Sequence, residues 1–197
     1  MSMKSLILLS ITIGTFSVQE IPKITVMNNP VKRDIKSVLV KPQKEYDPLV
    51  WVAMIEGVKQ FEGYKANPYY CPGGVRTIGY GHTEKAKKYK YISKKQAHEL
   101  LVQDLKKARN LVDKYVNVPL THGQIAALTS FTFNCGEGNL KKLVSGKGRL
   151  NDGNYKSVSK VLPMYSKAKG KTLKGLEKRR NWELELWNDK SEYLVKN

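Results

Sequence analysis

The hydrophobic positions of this chain change period several times, and each change marks a candidate element. Leu49, Val52, Ile55, Val58 and Phe61 recur at three-residue steps, which suits one buried helix face. Asp47 is a good N-cap for that helix, and Pro48 fits a first turn where the missing N–H costs nothing. Gly63 ends the run, so a helix is predicted over 48–62. Segment 64–83 cannot continue it, because Pro68, Pro72, Gly73, Gly74, Gly79 and Gly81 break the chain too often. Tyr69-Tyr70 and Val75 to Tyr80 read as short strands joined by tight turns. The Pro-Gly-Gly turn folds Thr77 back towards Cys71. Helical spacing returns over 94–115 at Ala97, Leu101, Leu105, Ala108 and Leu111, behind Ser93 as N-cap. Thr121 caps the next helix, which runs towards Asn134 with Ile125, Leu128 and Phe131 or Thr132 on its core face. A last helix, amphipathic and basic, is predicted over about 173–188.

The N-terminal part has a different texture. Lys4 precedes a weakly apolar, uncharged stretch, Ser5 to Gln19, which resembles the n-region and h-region of a signal peptide. It is short for a membrane span, which needs roughly twenty apolar residues. Two readings stay open: a signal cleaved near Thr15-Phe16-Ser17, or a signal-anchor held in the membrane and later released. Residues 20–46, punctuated by Pro22, Pro30 and Pro42, read as a linker. The chain thus divides into 1–19, 20–46 and a domain over 47–197. About 150 residues is enough for a sizeable core.

Charge adds a preferred class of partner. The net charge is +18, and residues 141–180 hold thirteen Lys or Arg against Asp152 and Glu177, a local excess of +11. Such a face attracts anionic surfaces and raises encounter rates at low salt. Nucleic acid is not expected, since no reading motif occurs and Lys far outnumbers Arg. A generally basic, solvated surface explains the same composition.

The densest chemistry lies at 62–83. Glu62 closes the first helix, where the negative end of the dipole favours a carboxyl that keeps its proton. Such a group can serve as a general acid, although a lone Glu is more often a solvated helix end. Cys71 has three open readings: inert structural thiol, disulfide partner or nucleophile. An unperturbed thiol ionises near about 8.5, and nearby cations or carboxylates would move it in opposite directions. His82, His98 and His122 lack ligand spacing with Cys71 and Cys135, so no metal is expected. No phosphate loop or dinucleotide fingerprint occurs, so no cofactor is expected either.

Three blocks carry a family resemblance. The first is Glu62, eight residues, Cys71, five residues, Thr77, then Ile78-Gly79-Tyr80-Gly81-His82. The second is Gln124 to Gly138, of the pattern Gln-x-x-Ala-Leu-x-Ser-Phe-x-Phe-Asn-x-Gly-x-Gly. The third is Gly175-Leu176 to Arg179-Arg180, with Glu183 after them. Together they resemble the phage-type lysozymes, in the less common form with Cys where most members carry Asp.

The resemblance implies a mainly helical α+β fold of two lobes, with a small N-lobe sheet, a long connecting helix and a helical C-lobe. It implies a muramidase, an endolysin cutting the β-1,4 bond from N-acetylmuramic acid to N-acetylglucosamine in peptidoglycan. Glu62 would be the acid, Cys71 the base or nucleophile, and Thr77 the residue that positions water. Asn134, Tyr69 and His82 are expected at the sugar site, although His82, beside the hairpin glycines, also reads as a structural hydrogen-bonder. Arg179-Arg180 match a structural pair of the family. The expected protein is a monomer exported to the periplasm or cell wall. A Cys71–Cys135 disulfide would block the site, so Cys135 is expected as a buried thiol. Two alternatives stand beside the hydrolase: a lytic transglycosylase at the same bond, or a cationic wall-binding protein without catalysis.

Overall fold

The structure is a computed structural model and describes residues 47–71, 74–168 and 170–189. The expected signal or anchor over 1–19 and the linker over 20–46 lie outside the described residues. Helix α1, Pro48–Glu62, starts as predicted: the Asp47 carboxylate accepts from the N–H groups of Leu49 and Val50. Its buried face differs from the predicted one. Met54, Ile55 and Val58 are in the core, whereas Leu49 is 81% exposed and Val52 56% exposed. Each residue turns a helix by about 100°, so a three-residue step falls about 60° short of a full turn. Four such steps spiral around the helix instead of lining one side of it.

A two-stranded antiparallel hairpin follows, β1 (Lys65–Tyr70) and β2 (Arg76–Gly79). Its register pairs Tyr69 with Thr77 and Tyr70 with Arg76, and it shifts between Lys65 and Tyr69, beside Pro68, which has no N–H to give the ladder. At the turn, the Cys71 N–H donates to the Val75 carbonyl at 3.0 Å and the Gly74 N–H to the Cys71 carbonyl at 2.8 Å.

Two long helices form the centre. Helix α2, Lys94–Tyr115, and helix α3, His122–Val144, each begin with a capping box, Ser93 with Gln96 and Thr121 with Gln124. Each box satisfies two otherwise orphaned backbone donors. Helix α2 joins three apolar clusters. Ala97 packs with Ile78, Ala86 and Ile92 behind the hairpin. Leu101 and Leu105 pack with Met54, Ile55 and Val58 of α1. Val112 joins Leu128, Phe131, Leu140 and Trp187 in the C-terminal lobe. This is the two-lobed, mainly helical arrangement expected.

Helix α3 is buried all round from Ile125 to Thr132, wider than the single predicted face. Its hydroxyls stay satisfied, because Thr129 and Thr132 donate to the carbonyls of Ile125 and Leu128. The helix runs ten residues past Asn134 to Val144, with a break at Gly136 (φ 80°, ψ 169°). The Asn139 side-chain amide takes up the Cys135 carbonyl there at 2.8 Å.

The C-lobe adds α4 (Lys156–Val161), a second short ribbon of β3 (Lys167–Ala168) with β4 (Lys171–Thr172), and α5 (Lys174–Asn188). Helix α5 lies close against α1. A Cβ on Gly57 would fall 2.2 Å from the Trp182 ring, so glycine is required at that crossing. No described helix is long and apolar enough to cross a membrane.

Candidate active site

A cleft of about 500 Å³ lies between the hairpin and the central helices. Glu62 reaches it from the end of α1. Tyr69, Cys71 and Thr77 come from the hairpin, Asp104 and Lys107 from α2, and Thr132, Phe133, Asn134 and Glu137 from α3. Five of the six residues expected at the site therefore share one cavity.

The sixth, His82, does not line it. Its ring is buried, with Nδ1 2.7 Å from the Asp104 carboxylate. The backbone explains this placement. Ile78 and His82 exchange both N–H···O bonds at 2.9 Å, closing a turn over Gly79 and Gly81, both at positive φ. The turn brings the Gly81 backbone against Glu62 and sends His82 inward to α2. A Cβ on Gly81 would stand 3.1 Å from Glu62 Oε2.

Glu62 also has a partner that the local sequence does not announce. Arg179 of α5 donates from Nη1 to Glu62 Oε1 at 2.5 Å. The guanidinium is buried, with its carbon 5.7 Å from the Phe61 ring centre and 5.8 Å from that of Phe133. Glu183 holds its other edge, with Nε to Oε1 at 3.3 Å, and Ser130 contacts Nη2. The Arg-Arg-x-x-Glu segment was the available signal, but nothing in it points to a residue 117 positions away.

The remaining polar groups are also held in defined roles. The Thr77 hydroxyl donates to the Val75 carbonyl at 2.9 Å, which leaves its oxygen as an acceptor towards the cleft. Burial pushes the Tyr69 phenol up from its ordinary range, and the charges of Glu62 and Cys71 push the same way, so it stays a donor. Asn134 Oδ1 accepts from Arg180 Nη2 at 3.0 Å. Neither Cys71 nor Cys135 is in a disulfide. Cys135 is half-buried on α3 with Arg180 Nη1 2.9 Å from its sulfur. Burial raises the Cys135 thiol, and the Arg180 charge works against that rise. At the outer rim Lys107 bridges Glu84 and Asp104, and the Lys107 hydrogen bond holds the Glu84 carboxyl below its ordinary range.

Comparison with known proteins covers the same elements. The family model for phage lysozyme matches residues 59–183, a span that includes Glu62 and reaches Glu183. An endolysin of Acyrthosiphon pisum secondary endosymbiont phage 1 is 36% identical over 134 residues, covering 66% of this chain and 91% of the relative. A SAR-endolysin of Escherichia phage Mu is 36% identical over 121 residues, covering 61% of this chain and 70% of the relative. The solved muramidase domain of SpmX from Asticaccaulis excentricus superimposes with a TM-score of 0.62 at 30% identity, over 70% of this chain and 95% of that domain. A family model matching well over half the chain, and relatives aligned along most of their own length, lead to one assignment: the chain belongs to the phage lysozyme family.

Proposed function

We propose that this phage lysozyme family member is an endolysin that lyses bacteria by hydrolysing the β-1,4 bond between N-acetylmuramic acid and N-acetylglucosamine. The observation that carries the reading is the placing of Glu62, Cys71 and Thr77 on one cleft, with a buried cation behind the carboxyl. Glu62 gives its proton to the leaving glycosidic oxygen. The negative charge left on its carboxyl develops against Arg179, which is already fixed between two rings and Glu183. A charge stabilised by a prearranged partner requires no reorganisation during the reaction.

On the hairpin side, Cys71 as thiolate takes a proton from the attacking water, and Thr77 Oγ1 accepts the other water hydrogen. Attack from that face inverts the anomeric centre. Direct attack by sulfur would instead retain configuration through a covalent intermediate. Tyr69 donates to the sugar, and so does the Asn134 amide, its oxygen being occupied by Arg180. His82 acts at one remove, by bracing Asp104 and the Gly81 turn.

The export reading belongs to the same proposal. The signal-like stretch over 1–19 carries the domain to the periplasm as a cleaved signal or a releasable anchor. The SAR-endolysin name of the phage Mu relative agrees with the second form. The excess of Lys and Arg over 141–180 suits contact with an anionic membrane or lipopolysaccharide, and the enzyme works as a monomer.

The test is mass spectrometry of soluble fragments released from purified peptidoglycan by the wild type and by Glu62→Gln. Reducing N-acetylmuramic acid ends, formed by wild type alone, are expected. Activity of the variant within about threefold of wild type would sink the assignment of Glu62. Anhydro ends would mean a transglycosylase, and no fragments from either protein would mean a wall-binding protein without catalysis.

A further inference from the structure

Glu183 is the most heavily engaged buried acid among the described residues, and the mechanism above makes no direct use of it. It is fully buried. Its Oε1 accepts from Ser130 Oγ at 2.7 Å, from Arg180 Nη2 at 2.9 Å and from Arg179 Nε at 3.3 Å. Its Oε2 lies 2.8 Å from Arg180 Nε as an ion pair. Both arginines go on to the cleft, Arg179 to Glu62 and Arg180 to Asn134.

The geometry points to Glu183 as a positioning residue that sets both walls of the cleft, holding the Glu62 carboxyl through Arg179 and the Asn134 amide through Arg180. The inference rests on Glu62 being the general acid. Helix periodicity makes the arrangement possible: Arg179 and Arg180 stand four and three residues before Glu183, so one carboxylate meets both guanidinium groups.

Charge balance gives Glu183 a second effect. The buried cluster holds two guanidinium cations and two carboxylates, Glu62 and Glu183. Burial pushes the Glu183 carboxyl up, while Arg180, Arg179 and Ser130 oppose the rise. Two buried cations need a buried counter-charge, and Glu183, in contact with both, is placed to supply it. Without that charge, the two guanidinium groups would stand uncompensated behind the cleft, an arrangement that favours the ionised form of any acid they face. Other titratable groups line the same cleft, Asp104 and Lys107 on α2 and Glu137 on α3. Tyr69 on β1 faces both Glu62 and Cys71, and Cys135 on α3 faces Glu183 and both arginines.

The experiment compares full-length wild type, Glu183→Gln and Glu62→Gln on peptidoglycan from pH 4 to 9, with folding checked by circular dichroism and thermal melting. Glu183→Gln keeps the shape and removes the charge. The expected result is at least a tenfold loss at neutral pH, with the alkaline limb of the rate profile about one pH unit lower, as expected for one nearby charge. A folded Glu183→Gln whose alkaline limb stays at the wild-type position overturns the proposal, whatever its rate, because a purely structural acid would lower stability without moving that limb. If Glu183→Gln does not fold, Glu183→Asp carries the test: it draws the charge back from both arginines, and a wild-type rate and profile would overturn the proposal. An active Glu62→Gln would mean that the general-acid reading itself had failed. An inert Glu62→Gln beside an unmoved limb in Glu183→Gln would confine the failure to Glu183.

Discussion

Replacing Gly81 by alanine perturbs the proposed acid without altering its carboxyl. Two costs can be worked from the structure. Gly81 has φ +88°, a conformation that costs an L-residue about 1–2 kcal/mol. For a domain of this size that lowers the melting temperature by about 3–8 °C. The new Cβ would also lie 3.1 Å from Glu62 Oε2 and 3.7 Å from the Phe133 ring. Arg179 holds the other carboxyl oxygen, so the contact is relieved by turning the carboxyl a few tenths of an ångström. A misplacement of about 1 Å can cost roughly a hundredfold in rate, so this smaller one is expected to cost about three- to tenfold. Gly153→Ala is the control. Its φ is +80° and nothing lies within 4 Å of its would-be Cβ, so it carries similar strain without touching the cleft. The assay is turbidity clearing of a peptidoglycan suspension per folded molecule, read beside a thermal melt. A Gly81→Ala variant that melts lower yet clears at the wild-type rate would refute the steric reasoning. So would a Gly153→Ala variant that loses as much activity.

Other expectations follow from the same geometry. Cys71→Asp should remain active, because a carboxylate at that point of the hairpin can also take a proton from water; a folded but inert variant would argue for an obligatory sulfur nucleophile. If Cys71 acts as a base, nuclear magnetic resonance of the first product should show the α anomer at the new reducing end, and the β anomer would refute it. Leu128→Ala empties a fully buried site among Val112, Phe131, Leu140 and Trp187, so a loss of about 2–5 kcal/mol is expected in urea unfolding. Thr121→Ala removes half of a capping box and should cost about 1 kcal/mol in the same assay.

Local chemistry made much of this molecule readable from its residues. Ser93 and Thr121 announce α2 and α3, because a short hydroxyl side chain takes up an orphaned N–H at a helix start. The hairpin is readable because prolines and glycines exclude helix; Thr77 folds back onto the first strand, though it pairs with Tyr69 and Cys71 bonds to Val75. The buried side of α1 departs from the three-residue pattern because a strict three-residue step precesses, so Leu49 and Val52 face solvent while Met54 takes a core position. Helix α3 continues past Asn134 to Val144, because Gly136 marks a break within it and not its end. The least legible feature was the pairing of Glu62 with Arg179. It depends on α5 packing against α1, where Gly57 meets Trp182, and no periodicity within either helix reports that contact. His82 shows the converse: its place in a motif suggested the sugar site, whereas the Gly79 and Gly81 turn carries its ring to Asp104.

In mechanical terms, α1 is a strut with Glu62 at one end and Asp47, the first described residue, beside the other. Forty-six residues precede Asp47, and the fifteen residues of α1 separate that junction from Glu62 by about 22 Å at 1.5 Å per residue. The junction is fastened, since the Asp47 N–H donates to His122 Nδ1 at 2.9 Å. The two ends of α1 are therefore held by different helices, Asp47 by α3 and Glu62 by α5. Held at both ends in this way, the strut keeps the Glu62 carboxyl at a set distance from the start of α3.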